Sequence, residues 1–327
     1  MNLWKFIIST DHNDIILKTL FVLAAILAYL MIKNKRLFHS PNNSAEGFEQ
    51  QDKFVSKCGA NAIFDDFYAD IYDKIFEPEV LAPLELKAIL TTQPDKDNAI
   101  ILDANSGTGH LVAALTKKGY ARAFGVDASP EMVAKSREIF PNVKTKVANI
   151  TEPMAFEPST FTHVVLSNFA IYRYCPKNKR AILKNIATWL QPYGYFCLHL
   201  VDPDKFDPMV PAAKPLFGSA QPKSGRKYTD TLVNFDDFTY KSEFVVRKKP
   251  NESETMFRET FTDSASGNIR QHELEMWMDS PETIIKMAQQ CGFSLIGKFD
   301  IKEWSRDDYQ HIYVMQSGTY GLSVREP

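Results

Sequence analysis

Cysteine is scarce and scattered. Cys58, Cys175, Cys197 and Cys291 lie far apart with no C-x-x-C pair, so neither a zinc site nor a disulfide framework is indicated. A reducing compartment is the simple reading. Net charge is almost absent too: 38 basic and 40 acidic residues leave −2, which gives no electrostatic footprint for nucleic acid. With no internal repeat and no low-complexity tract, the 327 residues read as one large domain plus appendages.

Long apolar runs are missing except for one, Ile15 to Ile32, broken only by Lys18. It is long enough to span a bilayer if Lys18 snorkels to the interface. A cleaved signal peptide would show a small-x-small site after the run, and a buried core helix would not need to be apolar on every face. A single transmembrane helix over 15–32 is therefore expected, after an N-terminal flank, 1–14. Lys33, Lys35 and Arg36 follow it, against Lys5, Asp11 and Asp14 before it, which places the C-terminal part in the cytosol by the positive-inside tendency. Whether the membrane is cellular or that of an enveloped particle stays open. The polar stretch after it, rich in Ser, Asn and Gln, reads as a flexible tether over 33–60.

The rest is organised around Ala99 to His110, AIILDANSGTGH. An apolar run closes on Asp103, a loop with Gly107 and Gly109 follows, and Leu111, Val112, Ala114 and Leu115 begin an amphipathic helix: strand, tight turn, helix. Glycines let the backbone approach a ligand, and the helix start presents free N–H groups, so the turn suits a nucleotide-like cofactor. A second apolar strand, Ala123 to Val126, ends on Asp127, which is placed to bind ribose hydroxyls. The dinucleotide fingerprint G-x-G-x-x-G fits poorly, because Val112 stands where its third glycine belongs and Asp103 precedes the loop. That disfavours a nicotinamide-dependent oxidoreductase.

Acid, glycines, then acid resembles motif I of the class I S-adenosylmethionine-dependent methyltransferases, (D/E)-x-G-x-G-x-G, with Asp103, Gly107 and Gly109 matching. Asn105 replaces the first glycine, and asparagine tolerates left-handed backbone better than most residues. The resemblance covers about Asn61 to Gln316. It implies S-adenosyl-L-methionine as cofactor, with Asp127 and neighbouring Ala128 at the ribose, Gly107 and Gly109 admitting the methionine moiety, and Asp103 holding its amino end. Asn149 and Ile150 correspond to the adenine-binding pair, and Asn168 lies in the segment bordering methionine and substrate. Tyr68 and Tyr72 belong to a tyrosine-rich helix that often closes over the methionine end in this family. His199 and Tyr172 are the candidates for a catalytic role, although a lone histidine in a strand is more often structural. The implied acceptor is a small-molecule or membrane-proximal N or O nucleophile. A membrane-tethered interaction protein that keeps the fold without turnover is the alternative.

The implied fold is α/β: a Rossmann-like, doubly wound, seven-stranded sheet with an antiparallel last strand, filling 61–317 ahead of a tail, 318–327. Its parts can be read in order. Asn61 to Phe76 has helical spacing; Ser129 and Pro130 cap the next helix; Val143 to Ala148 and Thr162 to Leu166 are strands. The helix Lys177 to Leu190 and the turn Pro192-Tyr193-Gly194 lead to strand five, Tyr195 to Val201. After a loop, Pro203 to Lys227, three strand-like runs (Phe238 to Val246, Thr255 to Phe261, Ile269 to Met278) form an antiparallel insertion over about 203–279. Tyr240, Arg258, Arg270, His272 and Trp277 are its expected exposed contributors. Ser280-Pro281-Glu282 caps a helix ending at Gly292, and Phe293 to Ile301 with Gln310 to Met315 close the sheet.

Overall fold

Two sheets, rather than one with a decoration, organise the computed structural model of this chain. It describes residue 48 and residues 52–205, 210–213, 230–246, 254–305 and 307–318. In order, the elements are β1 (Phe54–Cys58), α1 (Asp66–Phe76), α2 (Pro78–Leu90), β2 (Ile101–Ala104), α3 (His110–Lys118), β3 (Ala123–Asp127), α4 (Pro130–Ile139), β4 (Thr145–Val147), β5 (Phe161–Leu166), α5 (Pro176–Trp189) and β6 (Leu190–Val201). There follow β7 (Asp230–Asn234), β8 (Phe238–Val246), β9 (Glu254–Asp263), β10 (Ile269–Trp277), α6 (Pro281–Gln290), β11 (Phe293–Asp300) and β12 (Gln310–Ser317).

The larger sheet has seven strands in the order β11-β12-β6-β5-β2-β3-β4. The pairs from β4 to β6 are parallel, and β12 runs antiparallel to both β6 and β11. Crossover helices cover both faces, so every residue of β2 is buried, as a central parallel strand requires. Leu102, Ala104, Val164, Leu166 and Phe196 pack on one face with the apolar stripe of α1 and with Ile182, Ile186 and Trp189 of α5. Ile101, Val165, Cys197 and Val314 face the other way, onto Leu81 and Leu84 of α2 and Leu111 and Leu115 of α3. The caps follow local chemistry: Ser129 Oγ accepts from the Met132 N–H at 3.0 Å and Ser280 Oγ from the Thr283 N–H at 3.2 Å, each followed by a helix-starting proline.

The smaller sheet is β1-β10-β9-β8-β7, antiparallel except for the β1–β10 pair. Here the end of the expected tether, from residue 52, is ordered structure instead; residues 33–47 lie outside those described. Residues 54–58 pair in register with 269–273, from Phe54 opposite Ile269 to Cys58 opposite Glu273. Phe48 is fully buried, edge-on to Phe67 at 4.9 Å between centroids. Local polarity misled because β1 is an edge strand with alternating half-exposed residues, whose partner lies far along the chain. β7 was also unread. The expected helix from Asn61 breaks at Asp65, whose side chain caps α1 by accepting from the Tyr68 N–H at 3.3 Å. The expected transmembrane helix, 15–32, lies outside the described residues, and among those described no helix is long and apolar enough to cross a membrane.

Candidate active site

The carboxyl ends of β2, β3 and β5 meet where an open parallel sheet binds ligands. Between β2 and α3 the chain turns on three left-handed residues: Asn105 at φ 112°, Gly107 at 50° and Gly109 at 84°. Asparagine does hold that conformation at the position of the missing glycine. The Asn105 and Ser106 N–H groups both donate to the Val126 carbonyl at 2.8 Å, which fastens the turn to β3. Gly109 has a steric reason as well, since a Cβ there would stand 2.9 Å from Ser136 Cβ on α4.

Carboxylates crowd this turn. Asp127 accepts from the Gly107 N–H and the Ser129 N–H, each at 3.0 Å; burial pushes its carboxyl up, and these hydrogen bonds and nearby Arg173 restrain the rise. Asp103 is buried and pushed well up by desolvation and by the charges of Glu85 and Asp127. Burial pushes Glu85, on α2, up to about 7, against a hydrogen bond from Ser167 and the field of His110. Asp73 on α1 accepts from the Thr108 hydroxyl at 2.6 Å and bonds His110 Nε2 at 2.7 Å. Ser106 Oγ is buried with no hydrogen-bond partner among the described residues.

A second wall comes from α1 and the segment after β5. Asn168 and Phe169 are consecutive left-handed non-glycine residues, at φ 47° and 59°, a conformation that persists only where the surroundings enforce it. Asn168 Nδ2 donates to the Tyr72 hydroxyl, which burial holds up at about 12. A Cβ on Gly107 would stand 3.8 Å from Tyr72 Cε1, so this ring borders the glycine turn. Arg173 lies over the Phe64 ring at 4.7 Å and sends its field to Tyr72 and Asp127.

Thus Asp103, Asn105, Gly107, Gly109, Asp127, Asn168 and Tyr72 share one edge. Residues 101–194 match the family described as methyltransferase domain. A demethylmenaquinone methyltransferase of Chlorobaculum parvum is 30% identical over 140 residues, 42% of this chain and 55% of that protein. Its Chlorobaculum tepidum namesake is 33% identical over 103 residues, 32% of this chain and 40% of the relative. The chain thus spans about half the length of the curated relatives it matches. An S-adenosylmethionine-dependent methyltransferase from Clostridium acetobutylicum superposes with a TM-score of 0.58 at 15% identity, covering 77% of this chain and 98% of that one. Residues 101–194 thus match a methyltransferase domain, and the chain shares the fold of the Clostridium acetobutylicum structure.

Within this methyltransferase fold other expected site residues are placed differently. Tyr172 is fully buried; its hydroxyl donates to the Val201 carbonyl at 3.1 Å and accepts the Val201 N–H at 3.0 Å, so it clamps β6 from within the core. His199 points into the face of the sheet beneath Phe169 and Trp304, 1% exposed. Neither of its ring nitrogens has a hydrogen-bond partner among the described residues, Gln310 lies beside it, and burial lowers it to about 3. Both residues expected to be catalytic therefore have buried side chains that face the interior rather than the glycine turn. Asn149 is exposed with its amide oxygen already accepting from the Thr151 N–H and hydroxyl, beside exposed Ala128 and buried Ile150. Tyr68 turns its hydroxyl away from the glycine turn, to Glu259 of β9. Tyr240, Arg270 and His272 are buried on the inner face of the small sheet rather than exposed. Glu85, Asp73 and Arg173 were missed, since only the tertiary structure carries their helix and turn positions to the edge.

Proposed function

We propose that this chain transfers the methyl group of S-adenosyl-L-methionine to a small-molecule acceptor. One observation carries the reading: a left-handed turn ringed by Asp73, Glu85, Asp103 and Asp127, three of them with raised carboxyls, which is an environment deficient in positive charge. The cofactor supplies an activated methyl on a sulfonium, and its ammonium and sulfonium bring the missing charge. Asp127 would hold the ribose hydroxyls, Asp103 and Glu85 the amino end, and Arg173 the carboxylate. The protein's remaining task is to align the nucleophile with the methyl–sulfur bond and exclude water, which positioning alone accelerates greatly. Calorimetry with S-adenosylhomocysteine tests it on the full chain: micromolar-range binding by wild type, weakened at least tenfold in Asp127→Ala, is the expected outcome. Absence of binding to wild type would overturn the reading.

A membrane-spanning helix over 15–32, with the methyltransferase domain on the cytosolic side, belongs to the same proposal and rests on the apolar run and the basic residues after it. The relatives named as demethylmenaquinone methyltransferases make a lipid-soluble ring acceptor the second reading, which a membrane anchor would favour.

A further inference from the structure

The inner face of the small sheet carries a buried polar row where an apolar one would pack better. Register puts Thr231 opposite Ser242, Ser242 opposite Glu259, and Glu259 opposite His272, crossing β7, β8, β9 and β10. All four are buried, none above 4% exposed. Aromatic rows flank them: Tyr240 opposite Phe261 on one side, Phe244 opposite Phe257 on the other.

Glu259 is the centre of this row. Its carboxylate accepts from the Tyr68 hydroxyl at 2.8 Å and from the Tyr240 hydroxyl at 2.8 Å. Its one ion-pair neighbour among the described residues is His272, with Nδ1 at 3.9 Å, outside hydrogen-bonding distance. That ring accepts at Nε2 from Arg270 Nε at 2.8 Å, which leaves Nδ1 as the atom nearest Glu259. The cations on that side, Arg270 and Lys57, both turn to Asp65, and Arg173 lies over Phe64. Glu259 is thus 1% exposed with two phenols as partners and, among the described residues, no lysine or arginine at ion-pair distance. Thr231 Oγ1 and His272 Nδ1, on the same row, are buried without any partner among the described residues.

The row is joined to the cofactor edge through α1. Tyr68, which donates to Glu259, is one turn before Tyr72, with ring centroids 6.0 Å apart, and Tyr72 borders the Gly107 turn. We propose that this face is the acceptor site and that it takes an amine, with Glu259 holding the ammonium between the rings of Tyr68, Tyr240 and Phe261. A buried carboxylate supplies the counter-charge and aromatic faces the cation–π attraction, a pairing that favours ammonium over a neutral hydroxyl of equal size. Before methyl transfer the ammonium gives one proton to the Glu259 carboxylate. The nitrogen lone pair then forms the N–C bond as the C–S pair leaves with sulfur; the product departs as the methylated ammonium, and the Glu259 carboxyl gives the proton it took to solvent, which restores the carboxylate.

The inference rests on the cofactor reading, so the test separates the two. Full-chain protein saturated with S-adenosylhomocysteine is titrated calorimetrically with n-propylammonium and, separately, with n-propanol. The expected result is at least tenfold tighter binding of the ammonium by wild type, falling below about twofold in Glu259→Gln, with S-adenosylhomocysteine binding unchanged. Equal affinities, no ammonium binding, or a preference that survives Glu259→Gln would overturn the amine site alone. Failure of wild type to bind S-adenosylhomocysteine would overturn the cofactor reading and this inference with it. Should Glu259→Gln not fold, the wild-type comparison and Glu259→Asp, which keeps the charge and should keep most of the preference, still decide.

Discussion

Glu85 is placed to oppose the stability of the empty protein and, under the proposed function, to serve the liganded one. Its carboxyl is raised from an ordinary 4.5 to about 7, so its contribution to folding is full below 4.5 and is lost as pH climbs through about 7. Glu85→Gln should therefore raise the melting temperature of the cofactor-free protein at pH 8, by about 2–4 °C for each kcal/mol recovered, while weakening S-adenosylhomocysteine binding. A bound ammonium favours the ionised carboxylate, so wild-type affinity should rise with pH through about 7 and binding near that pH should release protons. Calorimetry in two buffers of different ionisation enthalpy measures that release, which Glu85→Gln should abolish. His199 behaves with the opposite sign. Its imidazole is lowered from 6.5 to about 3, so its stabilising contribution is present above 6.5 and is lost as pH falls below that. His199→Leu should flatten the acid limb of a stability profile and leave methyl transfer within about threefold of wild type, as for a buried residue away from the chemistry. A hundredfold loss of rate in a folded His199→Leu protein would restore the catalytic role.

Elements are tied together at a few buried polar contacts. Lys179 on α5 is fully buried; its ammonium donates to the Trp277 carbonyl and to Asp279, each at 2.6 Å, with the Tyr172 ring 5.3 Å away. It therefore fastens a helix of the cofactor domain to the end of β10. Lys179→Ala removes this buried ion pair and the bond to the Trp277 carbonyl and should destabilise by roughly 3 kcal/mol, measured by denaturant unfolding, with S-adenosylhomocysteine affinity preserved because the glycine turn is untouched. At the other end of the same strand Arg270 pairs with Asp65, the cap of α1, over the Phe67 ring. Both contacts hold the small sheet against α1 and α5, the elements that border the proposed acceptor site.

For the whole molecule, the proposed function divides the work between the two sheets: one would present the cofactor edge, the other the acceptor's polar row. Membrane attachment would add a third level. Full-length protein should remain with the membrane fraction after an alkaline wash, and Ala25→Arg with Leu27→Arg should release it, since each arginine at a helix centre opposes insertion by roughly 2.5–3.5 kcal/mol. Recovery of wild type in the wash would reject the anchor.

Local signals sufficed for much of the architecture. Strand–turn–helix at Asp103 to Leu111, the caps at Ser129 and Ser280 and the closing strands at Phe293 and Gln310 depend on neighbours in sequence, and the structure has them where periodicity and cap chemistry put them. Asp103, Gly107, Gly109 and Asp127 were legible for the same reason: strand ends and tight turns convert sequence order directly into position. What only the tertiary structure decided is the direction and company of side chains. It packed His199 under Phe169, tied the Tyr172 hydroxyl to Val201 and sent Tyr68 to Glu259. It also added Phe54–Cys58 to β10 across most of the chain. Those outcomes follow from long-range pairing and from burial of charge, and neither leaves a periodic trace in the residues that take part.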